Sequence, residues 1–529
     1  MTSYKERSAF DRLNRLYWLK SQGCDFTFDV DQIIEELRGD APDWKPEYGK
    51  SAADDYTARS GWVQTEKRHD ELANIALIDL IARAKELSGR RGDFLVEYDP
   101  FAGLSESRPV RALAALRTSW KNGNFHPDYW QKFFDVESRK TDSERMKLLI
   151  ASRLSDLSSS DFSQVSFSVA RWFEKASGVI SVESPVLFSS IWTKLIGDLG
   201  TNENSNRSAL IRQSNDVDWT TEAMNSVAGE LGELHVNLLI ERKPNQKDGL
   251  PLEWKNRANE LLSLPYPSRQ YSLVLLSHQL GWLFSLDQSW TEGALLDPID
   301  QDADSADSQA IWAGFFWGTR TPHAPLFKRL KPHFLSMARA TPGRTKRHGE
   351  ILGGILLAGW AYENGGKRLI SSDELHNVIL DAEESFRSHL IWQLSRWSKD
   401  DAWADRIVVF LSEVWPKQKK TRTPSISAHL ADLAIGLEDR FPEVVAAILP
   451  LLGRADPHSF AAYRLQKEDS NIVGKYPTEA LDLLFAILPE DASIWPHGAH
   501  SLVRDLLKSQ PTLKDNPKLF QLLSRLDGV

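Results

Sequence analysis

The chain has 529 residues, 41% hydrophobic and 26% charged, with a formal net charge of −9; this is the balance of a globular protein with room for roughly two to four ordinary domains or one long repeat array. Acidic residues outnumber basic ones, 73 to 64, which excludes a general nucleic-acid coat, since such a coat attracts phosphates with a basic surplus. A single cysteine, Cys24, excludes disulfide stapling within the chain and fits a reducing compartment.

The opening, MTSYKERSAFDRL, lacks the apolar stretch of a secretory leader, so a cytoplasmic location is expected. No signature of a nucleophile surrounds Cys24, which reads as an ordinary small apolar residue. Residues 1–62 are expected to form a helical segment ending in a linker, because 39–61 is rich in Pro, Gly, Asp and Ser. Residues 71–89, ELANIALIDLIARAKELSG, carry a broad apolar stripe at helical spacing, which predicts one heavily buried helix. DFLVEYDP, residues 93–100, is the best strand candidate. Strands do not alternate with helices, so a doubly wound or barrel enzyme fold is not expected. GTNENSNRS, residues 200–208, reads as a flexible zone. Residues 218–243 predict one or two helices with Asp218 as a cap, and 268–286 predict another. DPIDQDADSADSQ, from Asp297, has loop composition and marks a boundary between domains at 63–296 and 308–529. The most hydrophobic run, ILGGILLAGWAY at 351–362, is too short to span a bilayer, which needs about 20 apolar residues. Helical spacing resumes near 383–415 and continues to PKLFQLLSRL at the end.

One phrase occurs twice: FPEVVAAILP at 441–450 and YPTEALDLLFAILP at 476–489. Pro442 and Pro477 suit the first turn of a helix, where a missing N–H costs nothing. The residues before Pro450 and Pro489 are pushed out of helical geometry, so each phrase is a short helix with its own start and stop. Their starts lie 35 residues apart (476 minus 441) and LLSLPYPS near 261–268 is a fainter echo. Periods of about 34–47 residues belong to helical solenoids, so the expected fold is all-α, an irregular HEAT-like repeat with a helical N-terminal part.

Candidate chemistry is sparse. Asp300, Asp302 and Asp304 resemble the start of a calcium loop, but its sixth and twelfth positions are Ser305 and Ile311 instead of Gly and Glu, so a solvated linker is expected. His497 and His500 have ligand spacing without a helper Glu or Cys, and His323 and His333 are equally unsupported; no metal or cofactor is expected. Glu253 and Lys255 in LEWKN match the tail of a metal-dependent nuclease signature, with Asp216, Asp218 and Asp248 as possible partners, but such sites are built on strands and this stretch reads as helix. Gly353, Gly354 and Gly359 match no nucleotide loop and read as close-packing positions. Trp392, Trp397, Trp403 and Trp415 crowd one region; most tryptophans belong in a core, and a few suit a binding surface. WPKQKKTRTP at 415–424 sets Lys417, Lys419, Lys420 and Arg422 between two prolines, a solvated connector or an anchor for an acidic partner.

The segment FLSEVWPKQKKTRTPSISAHLADLAIGLEDRFPEVVAAILPLL, with YPTEALDLLFAILPEDASIWP after it, resembles a bacterial family. This is the helical domain of unknown function that lies C-terminal to the sirtuin module in defence-associated sirtuins. The opening RLYWLKSQGCDFTFDVDQIIEELRGDAPDW is similar to sequence from the same setting. The resemblance implies an anti-phage role in which a helical array senses an invader component or holds an assembly. The glycine-rich NAD loop and the sirtuin catalytic unit are not matched, so NAD hydrolysis is not carried over. The expected function is therefore a non-enzymatic scaffold or sensor for another protein, a defence effector or phage component, with Lys417, Lys419, Lys420 and Arg422 as contacts. A nucleic acid is the disfavoured partner and a membrane is not expected. The alternative is a metal-dependent nuclease using Glu253 and Lys255.

Overall fold

The helix-start signals act where the sequence places them. Asp218 accepts a hydrogen bond from the Thr221 amide at 3.1 Å and opens Trp219–Met224, and Val227–Arg242 follows at once. Pro442 and Pro477 lie in the first turns of Phe441–Ile448 and Pro477–Ile487; Leu488 turns extended before Pro489 as expected, whereas Leu449 stays helical (φ −46°, ψ −46°) and opens a 3₁₀ turn, Leu449–Leu451, that runs through Pro450. The computed structural model describes residues 4–49, 63–90, 96–210, 217–246, 248–318, 321–339, 346–364, 367–457, 459–466 and 471–527. Most of the expected linker at 39–61 lies outside them, as does Asp216. The fold is all-α; the strands among the described residues are five short ones, in a three-stranded sheet and a two-stranded hairpin.

The chain divides into two compact units, residues 1–133 and 134–529. In the first, Tyr4–Ser21 and Val30–Asp40 close around Ala9, Leu13, Ile34, Ala41 and Trp44. The Trp44 indole donates to Asn14 Oδ1 at 2.7 Å, so its one polar atom is satisfied. Val96–Tyr98 is the central strand of the small sheet, parallel to Gln64–Glu66 and antiparallel to Gly89–Arg90. The helix expected over 71–89 is shorter, Leu80–Leu87, and Ile78 is exposed. The Arg111 guanidinium donates to the carbonyls of Leu72 and Ile75 in place of helical amides, so this backbone is satisfied without a helix.

In the second unit, helices succeed one another in a ladder. Ser166–Glu183 packs on Val227–Arg242, which packs on Ser268–His278, then in turn Ala306–Trp317, Lys346–Ala361, Glu384–Trp397, Pro424–Gly436, Ala461–Gln466 and Ala499–Ser509. From residue 227 onward the starts 227, 268, 306, 346, 384, 424, 461 and 499 differ by 37 to 41 residues. A second row accompanies the first: Ala324–Arg339, Ser372–Asp381, the π-turn Phe410–Val414, Phe441–Ile448, Pro477–Ile487 and Pro517–Asp527, each packed on the next. The two copies of the repeated phrase are thus neighbouring members of one row. Their opening aromatics, Phe441 and Tyr476, stack with ring centroids 6.2 Å apart. The fainter echo near 261–268 instead leads into the first row, at Ser268.

Of the three glycines of the hydrophobic run, Gly353 and Gly359 pack closely, whereas a Cβ on Gly354 would meet only an ordinary contact, Gln393 at 3.7 Å. A Cβ on Gly353 would come within 3.2 Å of Leu390, and one on Gly359 within 2.3 Å of the Phe327 ring. The acidic segment 297–307 lies inside this unit and ties three helices together. Asp300 pairs with Arg329 and with His333 at 2.8 Å, while Asp307 takes Arg269 at 2.8 Å and Gln270 at 2.5 Å. Residues 202–206 are likewise pinned rather than loose, because the buried Asn206 side chain accepts from buried Ser268 at 2.5 Å.

Candidate functional site

The basic loop is a built turn. Thr421 is fully buried, and its hydroxyl donates to the carbonyls of Pro416 at 3.0 Å and Gln418 at 2.8 Å. Arg422 folds back to donate to the Lys417 carbonyl, and Lys420 lies 3.6 Å from Asp381. Lys417, Lys419 and Lys420 are all exposed. Of the nearby tryptophans, Trp415 is buried, whereas Trp392 is 46% exposed beneath the Arg396 guanidinium. Trp397 and Trp403 are half-buried and pack on each other at 4.2 Å.

Glu253 and Lys255 stand on a helix, Leu252–Leu262, not on a strand. Glu253 pairs with Arg257 at 2.9 Å and Lys255 with Asp287 at 3.2 Å, so each charge is spent on a neighbouring side chain. Among the described residues no cluster of three His, Cys, Asp or Glu side chains is placed to hold a metal. His497 lies beside Tyr463 and His500 beside Trp495, while His323 meets the Gly281 carbonyl at 3.1 Å. Cys24 is exposed, unlike the buried setting of a small apolar residue.

The same helix lines a cleft of about 640 Å³. It is an open depression lined by Asn256, Asn259, Glu260 and Ser263 of this helix, by Ile196 and Gly200 of Pro185–Thr201, and by Leu264 and Pro265. The polar residues are spaced i, i+3, i+4, i+7, which is one helical face. Two indoles hold that face. Trp192 donates to Glu260 Oε2 at 2.6 Å, and Trp290 donates to Asn259 Oδ1 at 3.4 Å. Behind them the rings run in series: Trp192 to His235 at 5.7 Å, His235 to Trp254 at 4.5 Å, Trp254 to Trp290 at 5.2 Å. His235 and Trp254 also exchange side-chain to backbone hydrogen bonds, at 2.9 and 3.0 Å. Burial holds the His235 imidazole neutral, its pKa lowered to about 3. Sequence reading reached this helix through Glu253 and Lys255 and missed the polar stripe a few residues on. Its signal was the i, i+3 pair of asparagines beside the aromatic positions.

One further cluster lies between Ser166–Glu183 and Val227–Arg242. Glu174 accepts from Asn237 at 2.8 Å and pairs with Lys175 at 2.7 Å, and Arg171 lies 3.5 Å from Glu230. Burial, with Glu233 and Glu174 adding repulsion against the pull of Arg171 and Lys175, raises the Glu230 carboxyl to about 7. Burial raises Glu233 as well.

Comparison with protein-family models, with curated proteins and with solved structures gives no match. Among the described residues no helix is long and apolar enough to cross a membrane.

Proposed function

We propose that this chain is a HEAT-like helical-repeat scaffold or sensor that binds another protein within a bacterial anti-phage defence system. The observation that carries the repeat reading is the ladder of helices starting every 37 to 41 residues, with a second row alongside. Stacked hairpins of this period bury a continuous core and leave long exposed edges for recognition. The defence setting rests on the resemblance of the C-terminal third to defence-associated sirtuins. Any enzymatic module then belongs to a partner, and Lys417, Lys419 and Lys420 are the exposed cations that would meet an acidic surface on it.

A tagged pull-down from the native host, with and without phage challenge, tests this. A stoichiometric partner carrying an enzymatic domain, or a phage protein captured only after challenge, is the expected result. A clean preparation without partner under both conditions overturns the scaffold reading.

A further inference from the structure

The helix Pro185–Thr201 carries a carboxylate that the repeat reading does not use. Asp198, in its last turn, is only 7% exposed. Its Oδ1 accepts from the Ser163 hydroxyl and from the Asn202 amide at 3.3 Å, both neutral donors, while its buried Oδ2 meets no donor among the described residues. Lys194, one turn earlier, is turned to the carbonyls of Ser155 and Leu157, each at 2.7 Å. The groups around Asp198 are pinned in a closed ring. The Asn202 amide also donates to Ser205 Oγ at 3.0 Å, and Ser205 Oγ lies 3.4 Å from Ser166 Oγ. Ser166 donates at 3.2 Å to the carbonyl of Ser163, whose hydroxyl returns to Asp198. Ser166 and Ser205 are both buried.

This ring has run out of protons. A hydroxyl carries one and an asparagine amide two. The Asn202 protons go to Asp198 Oδ1 and Ser205, the Ser163 proton to Oδ1, the Ser166 proton to the Ser163 carbonyl, and the Ser205 proton therefore to Ser166. None remains for Oδ2; what remains are lone pairs, on Oδ2 and on the Ser166 and Ser205 hydroxyls. The helix ends leave the charge unbalanced, because the uncapped opening turn of Ser166–Glu183 and the closing turn of Pro185–Thr201 carry opposite partial charges. A bridging water would complete the hydrogen bonds and still leave a buried charge, and buried charges are paired or bound to metal ions. Oxygen ligands suit a hard cation. Divalent ions gain affinity with the number of carboxylates, and a single carboxylate matches a single positive charge. We propose that this nest binds one alkali-metal cation, sodium or potassium, on Asp198 Oδ2 and the hydroxyl oxygens of Ser166 and Ser205. The cation fastens the 202–206 segment to both helices. The assignment rests on the nest alone, so a failed pull-down leaves it standing and its own failure leaves the repeat reading standing.

The test is thermal unfolding of the full chain, followed by circular dichroism while sodium or potassium chloride replaces N-methyl-D-glucamine chloride at constant ionic strength. The organic cation is too large to enter the nest. A saturable rise in Tm of about 1–3 °C is expected in the alkali salts, and the ion that half-saturates at the lower concentration is the preferred one. Asp198→Asn keeps Oδ1 and removes the charge, and should remove the dependence whatever its own Tm. Ser205→Ala takes away one neutral ligand and should raise the half-saturating concentration about tenfold, as losses of a supporting group at metal sites do. Glu203→Gln, which changes the same charge at an exposed position of the same segment, should leave the dependence intact. Equal wild-type Tm in alkali and organic-cation chloride, the result for a nest that holds water or a proton, overturns the proposal. So does an alkali effect that persists in Asp198→Asn or is lost equally in Glu203→Gln. A rise in calcium chloride and in neither alkali salt overturns it as well.

Discussion

Glu230 gives the sharpest test of the packing between Ser166–Glu183 and Val227–Arg242. Its carboxyl is raised from 4.5 to about 7 by burial, with Arg171 the nearest cation at 3.5 Å. The folded state therefore holds a proton that the unfolded state has already released between those values. Stability from this group is full below pH 4.5 and is lost as pH rises through about 7. At about 1.4 kcal/mol for each tenfold change in proton affinity, the difference amounts to about 3 kcal/mol. Glu230→Gln mimics the protonated form at every pH. In urea unfolding at matched ionic strength, the variant should match the wild type near pH 4 and exceed it by up to about 3 kcal/mol at pH 8. Taking the difference between the two proteins at each pH cancels the shared groups that are not coupled to Glu230; Glu233 and Glu174, which repel it, remain part of the same titration. A variant whose advantage is the same at pH 5 and pH 8, or that is less stable at pH 8, refutes the assignment of a buried, proton-holding carboxyl.

Three other outcomes follow from the packing and the proposed function. Gly314→Ala would set a Cβ 2.1 Å from the Val274 carbonyl oxygen, a backbone atom that cannot rotate away; a loss of about 1–3 kcal/mol in urea unfolding is expected, as for an overpacked core. Phe441→Ala removes a fully buried ring and its stack on Tyr476, and should cost about 3–5 kcal/mol by the same assay. Reversing the charges of Lys417, Lys419 and Lys420 should weaken capture of the partner in the pull-down while thermal stability barely moves, since these side chains are exposed. Unchanged capture removes the loop from the proposed contact.

The elements of this chain were legible where punctuation and period agreed. Pro442, Pro477 and Asp218 set helix starts by local chemistry alone, and the strand at Val96–Tyr98 falls where β-forming residues cluster. The 71–89 stretch misled because its apolar residues suit a helix, while Arg111, distant in sequence, supplies the hydrogen bonds that let the backbone leave it. The acidic run at 297–307 had the composition of a solvated linker, yet its partners Arg269, Arg329 and His333 sit on other helices. The cleft was hidden for a similar reason. Asn259 and Glu260 look like part of an ordinary polar helix face until Trp290 and Trp192, far along the chain in both directions, are seen to hold them.

The ladder also bears on how the C-terminal part of the second unit reaches its native state. There three ion pairs join residues at nearly constant remove: Arg440 to Asp405, Lys475 to Asp439 and Lys518 to Asp482 span 35, 36 and 36 positions. None of these three links waits for distant parts of the chain to meet, so for them the entropy of closing long loops hardly enters. Acquisition of structure can begin at any adjoining helices and spread to either side, at rates typical of chains rich in local contacts. A nascent chain could then consolidate each period soon after it leaves the ribosome, without waiting for the last.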